Sequence, residues 1–416
     1  MEEPTRFNLQ EIIPALSLIL DHQASGNLYH GFRVAIITYK VAENAKLKDK
    51  NMLFYAGLLH DMGLFETGEH IVPNYYDLSL QKSKAIFFNH PSVGAQIIKE
   101  IPGLEQAEPY ILEHHEFFNG GGYPFGKRED EISLEAQILR LADSFDIELR
   151  RFPGLEQKKI IQFIESRKGK EFSPNIVSTF LGLDKRILAG FRKENNLKDY
   201  FYHLSKNISY PPVNLDENTS NVLLRILGRA IDGKHPYTNQ HSHRVALYSL
   251  KLAKKIGLSK EECERIKSAG YLHDIGKIAI SNAILDKPGP LTEEEWVVMR
   301  THAEISYEIV NSVSYFKDFA DVVFAAQEEY DGTGYPRRLK GKDIPVGARI
   351  IAIADAIDAM LSDRSYRKAL PVETAVSELK KNAGSQFDPE ITEAAIDLIQ
   401  QKVFPVSLQF STSKVS

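Results

Sequence analysis

The sequence contains little cysteine and no long apolar run. Its one cysteine, Cys263, excludes an internal disulfide and a cysteine-based zinc site, so a bound metal would have to use histidine and carboxylate ligands. No apolar run approaches the ~20 residues that a membrane-spanning helix requires, and the acidic start at residues 1–4 lacks the apolar core of a signal peptide. We therefore expect a soluble, cytoplasmic protein without a membrane span.

An excess of positive charge is also missing. Lys and Arg together number 51 against 56 Asp and Glu, which gives a net charge of -5. A protein that wraps duplex nucleic acid needs a basic surface, so duplex nucleic acid is excluded as the main partner. The 416 residues, 43% of them hydrophobic, are enough for two globular domains with full cores.

Several short strings occur twice at nearly one offset, which indicates an internal repeat. We expect two tandem domains, at residues 1–205 and 206–416, joined near a linker at 209–214 that contains Pro211 and Pro212. The recurring strings are His60-Asp61-Met62-Gly63 and His273-Asp274-Ile275-Gly276 (offset 213), 120–124 and 332–336 (212), Leu141-Ala142-Asp143 and Ile353-Ala354-Asp355 (212), His30 and His241 (211), and His90 and His302 (212).

Each repeat has the apolar spacing of helices. Leu139, Ala142, Asp143 and Asp146 fall at i, i+3, i+4 and i+7, which is one face of a helix, and the positions around Asp355 repeat this spacing. No stretch shows strand alternation bounded by turns. The sequence therefore predicts an all-α fold.

Two helix starts can be predicted from capping residues. Thr292 precedes three glutamates, so we expect an N-cap in which Glu295 completes a capping box. Asn89 or His90 precedes Pro91, and proline is favoured in the first turn, so we expect a second helix to begin there.

Histidines and aspartates near the ends of helical stretches form a constellation in the first repeat. Imidazole and carboxylate groups suit iron, manganese, zinc or nickel, and five histidines with two aspartates exceed what one ion can take. Two ions are therefore implied, with one carboxylate bridging, and a metal pair activates water for displacement at phosphorus. The residues are His30, His60, Asp61, His90, His114, His115 and Asp143.

The pair His60-Asp61, with His30 before it and Asp143 after it, resembles the HD superfamily of metal-dependent phosphohydrolases. The run at 114–124 is similar to the signature of the HD-GYP family. The resemblance covers both repeats and implies two HD-type helical domains with a di-iron or di-manganese centre. It also implies hydrolysis of a cyclic dinucleotide, either cyclic di-GMP or cyclic GMP-AMP. A diguanylate cyclase or another signalling protein is a candidate partner.

The resemblance implies a role for each residue of the constellation. A hydroxide bridging the two ions, held by His60 and Asp61, would be the nucleophile. Gly26 occupies the position at which family members with three metals have a glutamate, so two ions, iron or manganese, are expected. The first ion would be held by His30, His60, Asp61 and Asp143, and the second by Asp61, His90, His114 and His115.

The substrate-binding features of the first repeat differ from the family pattern. Leu64 replaces the lysine that follows His-Asp-x-Gly, Asn119 replaces an aspartate, and only Arg150 and Arg151 stand in for the usual Arg-Pro-Tyr-Arg. Losing one charge-assisted contact to a phosphate costs about 1.5 to 3 kcal/mol, so substrate binding is weakened while metal binding survives. The expected substrate-binding residues are Gly122, Tyr123, Pro124, Arg150 and Arg151.

The second repeat differs in the opposite way. Ala326 and Gln327 align with the two adjacent histidines, so the second ion should be lost and at most one ion retained. Tyr237 again replaces the glutamate of a third metal, and His302 is expected to be a relic or a hydrogen-bonding residue. An alternative alignment would make Glu328 a ligand. The candidate site residues are His241, His273, Asp274, Asp355, Lys277, Arg364 and Arg367.

Three functional hypotheses follow. The leading one is a cyclic-dinucleotide phosphodiesterase with its centre in the first repeat and a regulatory second repeat. The alternative is a non-catalytic cyclic-dinucleotide sensor or scaffold, favoured by Leu64 and Ala326. The third is an HD enzyme that acts on other nucleotides, against which the Gly-Tyr-Pro sequence argues. The oligomeric state does not follow from the sequence.

Overall fold

The computed structural model describes residues 9–23, 29–67, 81–151, 157–184, 194–211, 217–232, 240–362 and 368–404. Contacts divide the chain into two compact units, a first unit over Arg6–Leu223 and a second unit that includes Leu224–Ser416. This division comes later than the expected boundary after residue 205 because the start of the expected linker packs on the first unit. The hydroxyl of Tyr210 donates to the Pro102 carbonyl at 2.9 Å, and its ring centroid lies 4.9 Å from that of Tyr55.

The described part of the first unit consists of helices and 3-10 segments, the latter at Met62–Thr67, Glu105–Ala107 and Glu129–Glu131. A further helix, α10 (Glu217–Asp232), contains the point of division. The helices before it are α1 (Leu9–Gln23), α2 (His30–Asn44), α3 (Lys50–Leu59), α4 (Gln81–Glu100), α5 (Glu108–Leu112), α6 (Leu134–Arg151), α7 (Gln157–Ser166), α8 (Pro174–Leu181) and α9 (Glu194–Ser205).

From His241 to Gln400 the described residues of the second unit follow the order of α2 to α8, apart from a short helix at Asn282–Leu285, with 3-10 segments at Ile275–Ala279, Ser314–Phe319 and Gly341–Asp343. The residues described contain isolated β-bridges but no strand, so the predicted all-α fold is confirmed. None of the helices in the described part of the chain has the length and apolarity that a membrane crossing requires. The helices are α11 (His241–Lys255), α12 (Lys260–Leu272), α13 (Asn282–Leu285), α14 (Glu293–Ser312), α15 (Ala320–Phe324), α16 (Val346–Leu361), α17 (Val372–Lys381) and α18 (Pro389–Gln400).

A central helix organises each core. In the first unit α2 packs on α3 and α6, and its apolar stripe of Val34, Ile37 and Val41 is buried. Each such side chain contributes about 1.5 to 3 kcal/mol of burial free energy. In the second unit α11 packs on α12 and α16 in the same way. Since α2 begins at His30 and α11 begins at His241, the core fixes where these two histidines lie.

The two predicted helix starts had different outcomes. Thr292 is an N-cap whose side chain accepts from the Glu295 amide at 3.3 Å, while Glu295 accepts from the Thr292 amide at 2.7 Å, so the capping box is confirmed. The predicted start at Asn89 or His90 is wrong, because α4 runs through Pro91. The His90 carbonyl packs against Gly63, and this contact keeps the helix continuous at the expense of one hydrogen bond that proline cannot make.

Candidate metal centres

The seven predicted metal ligands of the first unit lie together. Donor atoms of His30, His60 and Asp143 form one group, within 4.8 Å of one another, and those of His90, His114 and His115 form another. In the first group the Nε2 atoms of the two histidines are 3.2 Å apart, and Oδ1 of Asp143 lies 3.5 Å and 3.7 Å from them. In the second group Nε2 of His90 lies 3.3 Å from that of His114 and 3.2 Å from that of His115.

Asp61 lies between the two groups. Its Oδ2 is 3.6 Å from Nε2 of His30 and 3.5 Å from Nε2 of His60, whereas its Oδ1 is 3.5 Å from Nε2 of His90. Each carboxylate oxygen therefore faces a different group. This is the arrangement that a carboxylate shared between two cations requires.

Different elements supply these side chains. His30 is the first residue of α2, His60 follows α3, His90 lies inside α4, and Asp143 lies inside α6. A Cβ at Gly63 would come within 1.9 Å of the His90 carbonyl oxygen, so only glycine allows the His-Asp-x-Gly turn to pack on α4. The glycine of the motif thus brings the two groups together.

The second ring nitrogen of three histidines has a defined partner. Nδ1 of His60 donates to the Gly57 carbonyl at 3.0 Å, Nδ1 of His114 donates to the Ile111 carbonyl at 2.5 Å, and Nδ1 of His30 lies 2.6 Å from Asp146. These contacts direct Nε2 of each ring toward its group, as is usual for metal-binding histidines.

The charges of the site suit a cation. Burial opposes ionisation of Asp61, yet His60, His30 and His90 hold the pKa of its carboxyl well below its usual range. Burial and the neighbouring His90 lower the pKa of His114 to about 3, so this imidazole is neutral at pH 7. Burial alone would lower the pKa of His30, but hydrogen bonds to Asp146 and Asp61 raise it to about 9. Ionised carboxylates and imidazoles that can release a proton fit a divalent metal ion.

A second layer of residues surrounds His30, and no role was assigned to these residues from the sequence. Asp146 accepts from Arg33 and, at 2.7 Å, from Nε of Arg150. The second unit repeats this layer, because Asp358 lies 2.8 Å from Nδ1 of His241 and accepts from Arg244. The repetition of these aspartates and arginines at the common offset was the signal that could have assigned the layer.

The Gly-Tyr-Pro turn lies beside the second group. The Tyr123 ring stacks on the His115 ring at 4.8 Å with 14° between their planes. Gly120 has a φ of 84°, and a Cβ at Gly122 would come within 2.2 Å of the Phe117 amide nitrogen, so both positions require glycine. Pro124 follows Tyr123 in this turn. The expected role of residues 122–124 in substrate binding stays a prediction.

The two arginines expected to bind substrate already have partners. Arg150 pairs with Asp146, and its Nη2 lies 3.4 Å from Nδ1 of His30. Arg151 lies 3.7 Å from Glu148, and its side chain is half exposed. Their contact with a substrate stays a prediction, and of the two Arg151 is the more accessible.

The second unit has a smaller group of candidate ligands. Donor atoms of His241, His273 and Asp355 lie within 4.8 Å of one another, the counterpart of the first group in the other unit. Lys277 forms an ion pair with Asp274, and Nε2 of His302 lies 3.5 Å from the same carboxylate. One group of three agrees with the expectation of at most one ion, which stays a prediction.

The alignment of Ala326 and Gln327 with the adjacent histidines is supported by the backbone. The Tyr123 amide donates to the His115 carbonyl at 3.1 Å, and the Tyr335 amide donates to the Gln327 carbonyl at 3.2 Å. The alternative in which Glu328 is a ligand is wrong, because its carboxylate accepts from the backbone amides of residues 337 and 339 at 2.7 Å and 3.0 Å. Arg364, Arg367, Gly26 and Tyr237 lie outside the described residues.

The matching positions of the two units indicate one family. A family profile described as HD domain matches residues 18–175 and 225–391. The chain belongs to the HD domain family. Both matches contain the histidines and aspartates placed together above, which confirms the expected HD resemblance.

Several known proteins are similar to this HD domain chain. The 3'3'-cGAMP-specific phosphodiesterase 3 of Vibrio cholerae is 34% identical over 299 residues, which cover 71% of this chain and 64% of that protein. A cyclic di-GMP phosphodiesterase of Thermotoga maritima is 37% identical over 178 residues, or 42% of this chain and 48% of that protein. Both matches span less than two thirds of the relative's own length.

A solved structure is similar over nearly the whole chain. The crystal structure of a cyclic GMP-AMP specific phosphodiesterase of V. cholerae matches with a TM-score of 0.65 and 27% sequence identity, covering 95% of this chain and 98% of that one. This similarity confirms the helical HD-type fold.

Proposed function

We propose that the chain is a metal-dependent phosphodiesterase that hydrolyses a cyclic dinucleotide, with its reaction centre in the first unit. The observation that carries the proposal is the position of Asp61, whose two oxygens face two separate groups of metal-binding side chains. The relatives named as cGAMP and cyclic di-GMP phosphodiesterases support the class of substrate.

The seven residues His30, His60, Asp61, His90, His114, His115 and Asp143 would hold two divalent ions, iron or manganese. When bound, such ions would activate a bridging water as the nucleophile and bind the phosphate oxygens. Asp61 is more exposed than His30, His60 and Asp143, with 16% of its side chain accessible. A phosphodiester would therefore approach the centre on the side of Asp61.

Aromatic side chains provide a surface for the nucleobase beside this approach. The Phe88 ring, 41% exposed, lies 4.6 Å from the Tyr123 ring, which in turn stacks on His115. Base stacking on an aromatic ring contributes about 1 to 3 kcal/mol and tolerates different bases. This surface would hold a purine without deciding between cyclic di-GMP and cyclic GMP-AMP.

The second unit would be regulatory. The one group of candidate ligands among its described residues and the absence of both adjacent histidines support a role other than two-metal hydrolysis. At most one ion would be bound there, by His241, His273, Asp274 and Asp355.

A substrate panel with paired variants tests the proposal. Manganese- or iron-loaded full chain would be assayed with cyclic di-GMP, 3'3'-cyclic GMP-AMP and a linear nucleotide such as a nucleoside triphosphate. We expect turnover of a cyclic dinucleotide, abolished by Asp61→Ala and retained by Asp274→Ala. The opposite pattern of the two variants would contradict the assignment of the centre, and hydrolysis of the linear nucleotide alone would contradict the substrate class.

A non-catalytic sensor is the second candidate function. Leu64, only 9% exposed, stands where the second unit has Lys277, so the first unit has no lysine at the position where the family pattern places one. Binding of a cyclic dinucleotide without turnover under any metal loading would support this candidate. Measurable turnover would exclude it.

A further inference from the structure

A buried arginine contacts both groups of candidate metal ligands in the first unit. Nη1 of Arg140 lies 3.1 Å from Nδ1 of His115 and 3.1 Å from Oδ2 of Asp143. Its Nη2 donates to Glu171 at 2.5 Å, and only 7% of the residue is exposed. Arg140 therefore touches one ligand of each group from outside the site.

This contact determines which nitrogen of His115 carries the proton. A guanidinium group can only donate hydrogen bonds, so Nδ1 of His115 must accept from Arg140. A neutral imidazole then has its proton on Nε2, the atom that lies 3.2 Å from Nε2 of His90. In His60 and His114 the Nδ1 atom donates to a backbone carbonyl, which leaves Nε2 free to bind a metal. Nε2 of His115 therefore carries a proton at the position where it would need a lone pair to bind a metal ion.

The effect of Arg140 on Asp143 is the opposite. Oδ1 of Asp143 faces His30 and His60, while Oδ2 accepts from Arg140. A hydrogen bond to the outer oxygen of a ligating carboxylate orients it toward the metal. The same arginine therefore supports the first group and opposes metal binding at the second.

The second unit has neither member of this ion pair. The amide of Phe118 donates to the Glu171 carbonyl at 3.2 Å, and the amide of Tyr330 donates to the Gln386 carbonyl at 3.2 Å, which makes Gln386 the counterpart of Glu171. Counting back from Asp143 and Asp355 makes Ala352 the counterpart of Arg140. The repeat therefore provides a natural replacement for both residues within the same fold.

We infer that Arg140, held by Glu171, is a positioning residue that makes the ion at His90, His114 and His115 the weaker of two in the first unit. The inference rests on the proposed metal centre, but not on the identity of the substrate. The fixed positive charge of Arg140 and the proton that it places on Nε2 of His115 both oppose the second ion. Occupancy of that position would then follow the available metal concentration, while the first ion stays bound.

Metal titration of the full chain tests the inference. A His273→Ala background removes the ligand group of the second unit, and metal-free protein is titrated with Mn²⁺ by calorimetry and by electron paramagnetic resonance. With Arg140 and Glu171 unchanged, the His273→Ala protein should bind one Mn²⁺ ion tightly and one weakly. The double variant Arg140→Ala, Glu171→Gln copies the second unit, and we expect it to bind the second ion about tenfold more tightly, the usual scale of outer-layer effects on metal affinity.

Control variants separate this effect from a general change in charge. Arg167, whose side chain is 43% exposed, also pairs with Glu171 but touches no ligand, so Arg167→Ala should leave both affinities unchanged. Arg140→Lys keeps the charge but cannot donate to two partners in one plane, so it should give a smaller gain in affinity for the second ion. This variant replaces the double variant in the test if the double variant does not fold.

The coupled-pair resonance signal of two Mn²⁺ ions should develop at lower metal concentration in the double variant than in its parent. Equal affinities for the two ions in the parent, or weaker second-ion binding in both Arg140 variants, would overturn the inference. Absence of hydrolysis of every cyclic dinucleotide would instead contradict the proposed function, and the metal affinities would still report on Arg140.

Discussion

The two units differ in complementary ways. The first has both groups of candidate metal ligands but has Leu64 where the second has Lys277, and the second has Lys277 but has Ala326 and Gln327 in place of the adjacent histidines. In the second unit Lys277 pairs with Asp274. Each unit therefore has one of the two features that the family pattern combines, the full set of candidate metal ligands in the first unit and the lysine in the second.

The layer behind the first group is the part that both units share. His30 with Asp146 and Arg33 has the same arrangement as His241 with Asp358 and Arg244. Among the candidate site residues, the units differ at the adjacent histidines, at Leu64 and Lys277, and at Arg140 and Glu171. This comparison can be tested by exchanging residues between the units.

The largest effect is expected when the first unit is given the residues of the second at the adjacent histidines. The double variant His114→Ala, His115→Gln should lose the second ion, which would remove about 4 kcal/mol of transition-state stabilisation and lower kcat roughly a thousandfold. The measurement is the initial rate of cyclic-dinucleotide hydrolysis at saturating Mn²⁺. A rate within a few-fold of wild type would show that hydrolysis does not need this group.

The next effect concerns the missing lysine. Leu64→Lys should restore a cation near the substrate phosphate and raise kcat/KM by about ten- to a hundredfold, the equivalent of one charge-assisted hydrogen bond. The matched control Leu64→Met keeps the side chain apolar and should leave kcat/KM unchanged. No difference between the two variants would mean that the loss of the lysine does not limit the first unit.

The shared outer layer provides a third test. Asp146→Asn should weaken binding of the first ion by about ten- to a hundredfold, because the amide orients His30 less firmly than the carboxylate does. The measurement is the Mn²⁺ dissociation constant of the full chain. Asp358→Asn, the matched change in the second unit, should leave the hydrolysis rate unaltered, and a comparable loss of rate in this variant would place chemistry in the second unit.

The smallest effect is a difference in pH dependence between two buried aspartates, Asp21 and Asp232, whose carboxylates accept from backbone amides in the first turns of the central helices α2 and α11. Burial raises the pKa of Asp21 to about 7 and that of Asp232 to about 6, the latter also bonded to the Ser242 hydroxyl at 2.8 Å. A raised carboxyl pKa means that stability is present at low pH and is lost as the pH rises through the folded-state value.

Replacing Asp21 by asparagine should therefore stabilise the metal-free protein more at pH 8 than at pH 5, by about 3 kcal/mol, because only the interval between pH 5 and the folded-state pKa of about 7 contributes. Asp232→Asn should show the same trend with a smaller gain. Thermal unfolding of both variants at the two pH values measures this difference. A larger gain in stability for Asp232→Asn than for Asp21→Asn would contradict the expected order of the two variants.

The features that recur at a fixed offset could be predicted from the sequence. The repeat, the helical class and five of the seven candidate ligands could be predicted because each unit repeats them, whereas His114 and His115 followed from the resemblance to the HD-GYP signature, and the structure brings the seven side chains together. The predicted helix start at Pro91 failed because packing of α4 on Gly63 outweighs the local preference of proline.

The ion pair of Arg140 with Glu171 could not be predicted, since its partners are 31 residues apart and come together only in the fold. The same holds for Asp146 and His30, which are 116 residues apart. Asp146 and His30 recur in the second repeat as Asp358 and His241, which indicates a role in the common fold but does not show which atoms the two side chains contact.

The most direct test of the central claim is the metal content of three proteins: wild type, Asp61→Ala and Asp274→Ala, each equilibrated with excess Mn²⁺ and analysed by elemental analysis and calorimetry. We expect Asp274→Ala to retain the two ions of the first unit and to lose at most the one ion of the second unit, whereas Asp61→Ala should lose both ions of the first unit. Greater metal loss in Asp274→Ala than in Asp61→Ala would contradict a two-metal centre in the first unit.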